Sequence, residues 1–307
     1  MAKTKSLPKE KKYAAISQVG YKPNNSEWIN QDACFVKEYQ KGNENSTMAV
    51  VCDGHGVNGH LVSNFILEQI AAKVDKGEAI DEESFGELQN SLEGNDNIDS
   101  SISGTTCTIV NVSNGHVTAM NVGDSPAYIG RRNEENQKLE LIPITFDHVP
   151  MVSSEANRIK ANGGVVNVRS GSNSSISSGT SDTLPLRVWI RIEDGQTVKL
   201  IGLAMTRSLG DVKAHAKGVI SEPNVVKKEL KESDEFILVC SDGVTDALER
   251  SEISELMDDY MSSLPPYEHK KDWDPVQAAN MLVSNARRKW NPFVGIDDIT
   301  CCILKLR

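Results

Sequence analysis

Apolar residues recur along this 307-residue chain with two distinct periods. Short runs rich in β-branched and apolar side chains predict strands at 47–52 (TMAVVC), 236–240 (FILVC) and 299–304 (ITCCIL). Two more, 105–112 and 116–122, flank the turn Ser113-Asn114-Gly115 and predict a hairpin. Spacing of four marks helices instead. Val62, Ile66, Ile70 and Val74 form one apolar stripe. Asp274-Pro275 reads as an N-cap followed by a first-turn proline. Val276, Ala279, Val283, Ala286 and Trp290 then fill one helical face. Arg287, Arg288 and Lys289 close that helix against the negative end of its dipole. A shorter helix over 154–162 stops at Gly163-Gly164. Strands and helices alternate too irregularly for a doubly wound parallel sheet. Hairpin-linked strands favour antiparallel sheets with helices outside.

Two segments break the pattern. Residues 1–12 are basic, are followed by no apolar run, and read as a mobile tail. Residues 168–183 are dominated by Ser and Gly and read as a flexible surface insertion. Hydrophobic residues at 38% and charged residues at 25% indicate a folded chain, and no apolar run approaches a membrane span. The net charge of −10 counts against nucleic-acid binding. The six cysteines include no CxxC pair, and most lie in apolar β-type runs. They read as reduced, structural thiols of an intracellular protein. Cys301 and Cys302 are adjacent, so on a strand they face opposite sides.

Candidate chemistry lies in the acidic turns. Asp32, Asp53, Asp124, Asp242, Asp246 and Asp297 lie at or beside strand ends, and three of them adjoin a glycine. One Asp-Gly after a strand is ordinarily a turn. Convergent carboxylates, however, repel one another and need a compensating cation. An all-oxygen set suits Mg²⁺ or Mn²⁺, whereas no Cys/His cluster has zinc spacing.

The order of these motifs resembles the PPM, or protein phosphatase 2C, family. The matching segments are Asn30-Gln31-Asp32, VCDGHG (51–56), SGTT (103–106), NVGDSPAY (121–128), TFDHVP (145–150), EANRIKANGGVV (155–166), LAMTRSLGD (203–211), GVISEPNV (218–225), LVCSDGVTDAL (238–248) and GIDDIT (295–300). The resemblance implies an α+β fold: an antiparallel β-sandwich of two sheets with helices on both outer faces, as one domain over 13–307. It implies a metal-dependent protein serine/threonine phosphatase that uses a water activated by two Mg²⁺ or Mn²⁺ ions. Asp53 would bridge the ions, the Gly54 carbonyl would bind the second, and Asp242 and Asp297 would complete the first. Asp32 would hold a metal-bound water. Asp124 and Asp246 match a third, weaker ion site, and His55 matches the suspected general acid. The implied partners are phosphorylated proteins. A monomer is expected in the cytoplasm, with the nucleus as a second address, binding neither nucleic acid nor membrane.

Three departures stand out. Glu27 occupies the place where many relatives carry a phosphate-gripping arginine, so the substrate-phosphate residue is unknown, with Lys22 as one substitute. Gln31 replaces a frequent glutamate and lowers the charge available to a metal. Asp297-Asp298 replaces Asp-Asn; Asp297 is the better ligand by register and Asp298 the alternative. Glu27 and Gln31 also motivate an alternative function, a pseudophosphatase acting as a regulatory binding module.

Overall fold

The computed structural model describes residues 11–41, 44–168, 186–194, 197–263 and 273–306. In chain order the elements are β1 (Tyr13–Gln18), β2 (Asp32–Lys41), β3 (Glu44–His55), α1 (Gly59–Asp75), α2 (Glu82–Glu93), β4 (Gly104–Thr105), β5 (Cys107–Ser113), β6 (His116–Val122), β7 (Ala127–Arg132) and β8 (Leu139–Pro143). Then come α3 (Ser153–Ala161), β9 (Val165–Val168), β10 (Leu186–Asp194), β11 (Thr197–Leu203), β12 (Leu209–Gly210) and α4 (Val212–His215). The rest are β13 (Asn224–Glu229), β14 (Asp234–Cys240), α5 (Asp242–Thr245), α6 (Arg250–Ser262), α7 (Pro275–Lys289) and β15 (Ile299–Lys305).

The strands form two large antiparallel sheets. One runs β1-β15-β14-β7-β8; the other runs β12-β4-β3-β5-β6-β13, with β2 also on β3. Strand alternation builds the layers, because successive side chains point to opposite faces. On the inner faces Ala49, Val51, Val110 and Ala119 meet Ile129, Ile237, Val239 and Cys302. On one outer face Met48, Val50, Cys52 and Ile109 receive Val62, Ile66 and Ile70 of α1 with Phe85 and Leu88 of α2. On the other, Phe236, Leu238, Cys301 and Ile303 receive Ile253 and Met257 of α6 with Ala279, Leu282 and Val283 of α7. Cys301 and Cys302 therefore do serve opposite faces. The result is the expected sandwich with helices outside both sheets.

The expected hairpin is β5–β6. Its two-residue turn, Asn114 and Gly115, has φ of 49° and 74°, the all-positive pair that matches strand twist. Asp274 caps α7 through Val276 N–H at 2.8 Å. Helices α2, α4, α5 and α6 go beyond the sequence expectations. In α2 the buried apolar side chains are Phe85, Leu88 and Leu92, and in α6 Ile253, Met257 and Met261. These stripes are shorter than the four-residue one of α1, and packing on the sheets supplies the rest of their stability.

Residues 1–10, the bulk of the basic tail, lie outside the described residues. Lys12, at its end, already belongs to the fold: its carbonyl accepts from Lys305 N at 2.8 Å. Of the Ser/Gly-rich stretch, all but Val168 lies outside the described residues; the stretch falls between β9 and β10, which pair with each other in a third sheet, β11-β10-β9. Among the described residues, no helix is long and apolar enough to cross a membrane.

Candidate active site

The acidic turns gather at one end of the sandwich. Asp32 opens β2 and pairs directly with Asp53 near the end of β3. Asp242 opens α5 just beyond β14, and Asp297 precedes β15, the strand beside β14. The backbone of Asp53 is clamped by Thr106, whose hydroxyl accepts from Asp53 N (3.0 Å) while its N–H donates to Asp53 O (2.9 Å). Gly54 is packed so closely that a Cβ there would lie 2.4 Å from the Gly59 carbonyl oxygen. These elements enclose a cleft of about 440 Å³ whose lining includes Asp53, Gly54, His55, Asp242 and Asp297. Asp32, Asp124 and Asp246 stand behind or beside that lining.

Electrostatics bind the set together. Burial, then the charges of Asp32 and Asp242, push Asp53 well above the usual carboxylate range. Burial, then Asp124, Asp246 and Asp297, do the same to Asp242. Burial raises Asp32 to about 7, against hydrogen bonds from Thr300 and Ser241. Asp124 rises to about 6 through burial and then Asp147. Ser241 Oγ donates to Asp32 Oδ2 at 2.8 Å, while Asp32 Oδ1 is buried without a partner. As they stand, no three His, Cys, Asp or Glu side chains among the described residues are arranged to hold a metal ion. The donor chemistry nonetheless fits a hard divalent cation: oxygen ligands, mutual repulsion, and an orphaned carboxylate oxygen.

His55 is tied to a residue to which the sequence assigned no role. Its Nε2 lies 2.6 Å from Asp211 Oδ2, and Ser208 Oγ donates to the same oxygen at 2.6 Å. Burial pulls the His55 pKa down, but the charge and hydrogen bond of Asp211, with the charge of Asp124, together outweigh it and the net shift is upward. Asp211 in turn is pushed up by burial and pulled further down by His55 and Ser208. Both shifts describe an imidazolium–carboxylate pair. Asp211 adopts φ +47°, and a Cβ on Gly104 would meet its Oδ2 at 2.3 Å, so a glycine makes room for the pair. The one available signal was the aspartate ending LAMTRSLGD.

The three departures resolve geometrically. Asp298 is buried and accepts from Gly20 N (2.6 Å), Trp28 Nε1 (3.0 Å) and Gln31 N (2.8 Å), which makes it a clamp for the N-terminal segment. Asp297 instead meets Lys22 Nζ at 2.8 Å in the cleft. Gln31 Nε2 donates to the Gly56 carbonyl at 2.7 Å, a bond an ionised glutamate cannot make. Its side chain holds the turn after His55. Glu27 is exposed and absent from the cleft lining, so its carboxylate does not face a phosphate bound there. Besides His55, the described lining carries Lys22 and Arg187, two basic side chains that can face a negative charge.

Comparison with known proteins agrees with this arrangement. The family model "Protein phosphatase 2C" matches residues 19–290. The probable protein phosphatase 2C 35 of Arabidopsis thaliana is 28% identical, over 96% of this chain and 84% of its own length. The probable protein phosphatase 2C 64 of Oryza sativa subsp. japonica is 30% identical over 91% of this chain, which spans 62% of that relative. Among solved structures, a serine-threonine phosphatase 2C from Toxoplasma gondii shares the fold with a TM-score of 0.69 at 16% identity, covering 96% of this chain and 94% of its own. The motif order, the cleft and the family match lead to one conclusion: the chain belongs to the protein phosphatase 2C family, the metal-dependent protein serine/threonine phosphatases.

Proposed function

We propose that phosphoserine and phosphothreonine esters of proteins are hydrolysed in this cleft, and that its carboxylates hold two divalent cations, Mg²⁺ or Mn²⁺, with a third bound more weakly. The observation that carries the reading is the buried group around Asp53 and Asp242, whose carboxyls are pushed well above their ordinary range by burial and by one another. Such a group is costly unless cations neutralise it. Asp53, as the central ligand, would hold the ions together with the Gly54 carbonyl, Asp242 and Asp297. Asp32, braced by Ser241, would orient water from behind, and Asp124 with Asp246 would serve a third ion. When bound, such ions would supply neutralisation of phosphoryl charge and a more acidic, better nucleophilic water. The chain's own residues do the rest. The carboxylates position, and His55, held charged by Asp211, gives its proton to the departing seryl or threonyl oxygen.

The pseudophosphatase alternative rested on Glu27 and Gln31. Glu27 lies outside the cleft lining and Gln31 braces the His55 turn, so neither blocks chemistry. The same reading takes the protein as a monomer in the cytoplasm, with access to the nucleus. Its six free thiols support a reducing compartment.

The test is phosphate release from a phosphothreonine peptide with and without Mn²⁺. Activity should require the metal and vanish with chelator. Asp242→Ala should abolish turnover and Mn²⁺ binding while the protein stays folded by circular dichroism. Undiminished turnover in Asp242→Ala would sink the assignment.

A further inference from the structure

A cleft walled by carboxylates repels a phosphate dianion unless positive groups face it. Besides His55, whose charge is held by Asp211, the basic residues among the described lining are Lys22 and Arg187, and they come from different parts of the fold. Lys22 lies in the N-terminal segment beside Asp297. Arg187 lies near the start of β10, in the third sheet. We propose that Lys22 and Arg187 together form the phosphate-gripping site, binding the phosphate monoester dianion of the substrate and, after hydrolysis, inorganic phosphate. The proposal rests on the phosphatase reading above and names the residues that take its substrate.

Lys22 is positioned for this by a built support. Its Nζ lies 4.9 Å from the centre of the Trp28 ring, and the Trp28 indole N–H is fixed by the buried Asp298 at 3.0 Å. The backbone around Lys22 is pinned at both sides, by the Tyr21–Ile296 pairing (2.8 and 2.7 Å) and by the Asn25 N–H on the Lys22 carbonyl (2.9 Å). Its one ion-pair partner among the described residues is Asp297, a carboxylate placed among the cation ligands. That ammonium therefore sits where positive charge is already required. It keeps further N–H donors for an anion.

Arg187 is held differently. Val188 and Ile190, on either side of Trp189 in the same strand, are buried against Ile159 and Leu203. The guanidinium donates to the Gly202 carbonyl at 3.2 Å, and its charge acts on Asp246. Among the described residues no carboxylate pairs with it at salt-bridge distance. A guanidinium with donors to spare at the edge of an acidic cleft is suited to two-pronged phosphate binding, and a lysine opposite supplies a movable point charge.

The experiment compares the wild type with Lys22→Met, Lys22→Arg and Arg187→Met at saturating Mn²⁺. Methionine keeps the aliphatic stem against Trp28 and removes the charge. The Michaelis constant for a phosphothreonine peptide and the inhibition constant of inorganic phosphate should each rise about 10-fold or more in both methionine variants, with a smaller effect on kcat. Lys22→Arg should restore both constants. Mn²⁺ binding by calorimetry and circular dichroism are measured on the same samples. Unchanged constants in both methionine variants, with an active wild type, overturn the proposal and leave the phosphatase reading standing. So does a Lys22→Met effect confined to Mn²⁺ affinity, which makes the lysine a counter-charge to Asp297 alone. If the wild type hydrolyses nothing yet binds inorganic phosphate in a manner dependent on both residues, the site stands and the activity reading fails.

Discussion

At the scale of single residues, His55 owes its role to a carboxylate that no water reaches. Asp211 is fully buried and holds His55 Nε2, which leaves Nδ1, itself buried and without a partner, as the ring nitrogen not yet engaged. The backbone of Asp211 sits in the left-handed region at φ +47°, where Asp and Asn are among the few tolerated side chains. Holding a residue there costs of order 1–3 kcal/mol. The structure bears that cost at the point where the imidazole must be oriented. Asp211→Asn keeps the backbone and the size but removes the charge. If Asp211 keeps His55 protonated and aimed, kcat for a phosphothreonine peptide should fall about 100-fold in this variant, the low end for a general acid. The loss should be much smaller for p-nitrophenyl phosphate, because nitrophenolate departs without needing a proton. Equal losses on both substrates, or a KM change without a kcat change, would assign Asp211 to the architecture of the cleft instead.

At the scale of elements, the segment between β1 and β2 carries Lys22 without any regular structure of its own. It is docked chiefly through Asp298, which collects N–H donors from Gly20, Trp28 and Gln31. Trp28→Phe keeps a ring beneath Lys22 and deletes one donor to a buried carboxylate. It should cost about 1–2 kcal/mol of stability, read as a lower urea midpoint, and should raise KM several-fold as the lysine loosens. A lower midpoint with unchanged KM would separate docking of the segment from substrate binding. This is also where the sequence stopped being legible. α1, α7 and the β5–β6 hairpin could be read because their apolar residues recur locally and their caps and turn are local chemistry. Asp32, Asp53, Asp124, Asp242 and Asp297 could be read because each stands at or beside a strand end. Asp298 and Trp28 are 270 residues apart, and His55 and Asp211 are 156 apart. No window of sequence contains either pair. Register in the sequence favours Asp297 over its neighbour Asp298 as a ligand; both line the cleft, but only the fold shows that Asp298 is committed to the N-terminal segment while Asp297 meets Lys22.

At the scale of the whole molecule, stability against pH depends on groups that join its parts. His148 is the clearest. Its Nδ1 accepts from Gly123 N at 3.2 Å, just past β6, so its Nε2 carries the hydrogen and donates to Asn224 Oδ1 of β13 at 2.6 Å. Its carbonyl accepts from Thr206 N at 2.7 Å, tying this junction to the segment after β11. Only the neutral ring fits, since a second ring proton would face the Gly123 N–H. Burial accordingly pulls its pKa down to about 4, with the Asn224 bond opposing and the Arg207 charge adding to the fall. An unfolded histidine binds its proton near pH 6.5. Between about 6.5 and 4 the unfolded chain therefore holds a proton that the folded chain refuses, and stability falls as pH falls across that window. Above it the contribution is fully present. The full loss is roughly 3 kcal/mol, at about 1.4 kcal/mol per pH unit. The cleft carboxylates act in the opposite sense, because their raised pKa values favour the folded state on acidification. Saturating Mn²⁺ and a matched variant are needed to separate the two. His148→Asn retains an acceptor for Gly123 and loses the titrating ring. Urea unfolding at pH 7.5 and 5.5 should find the variant less stable than the wild type at the higher pH, with the gap narrowing by about 1 kcal/mol at the lower. A gap of constant size would mean that folded and unfolded His148 bind the proton equally, contrary to the bond that Gly123 donates to it.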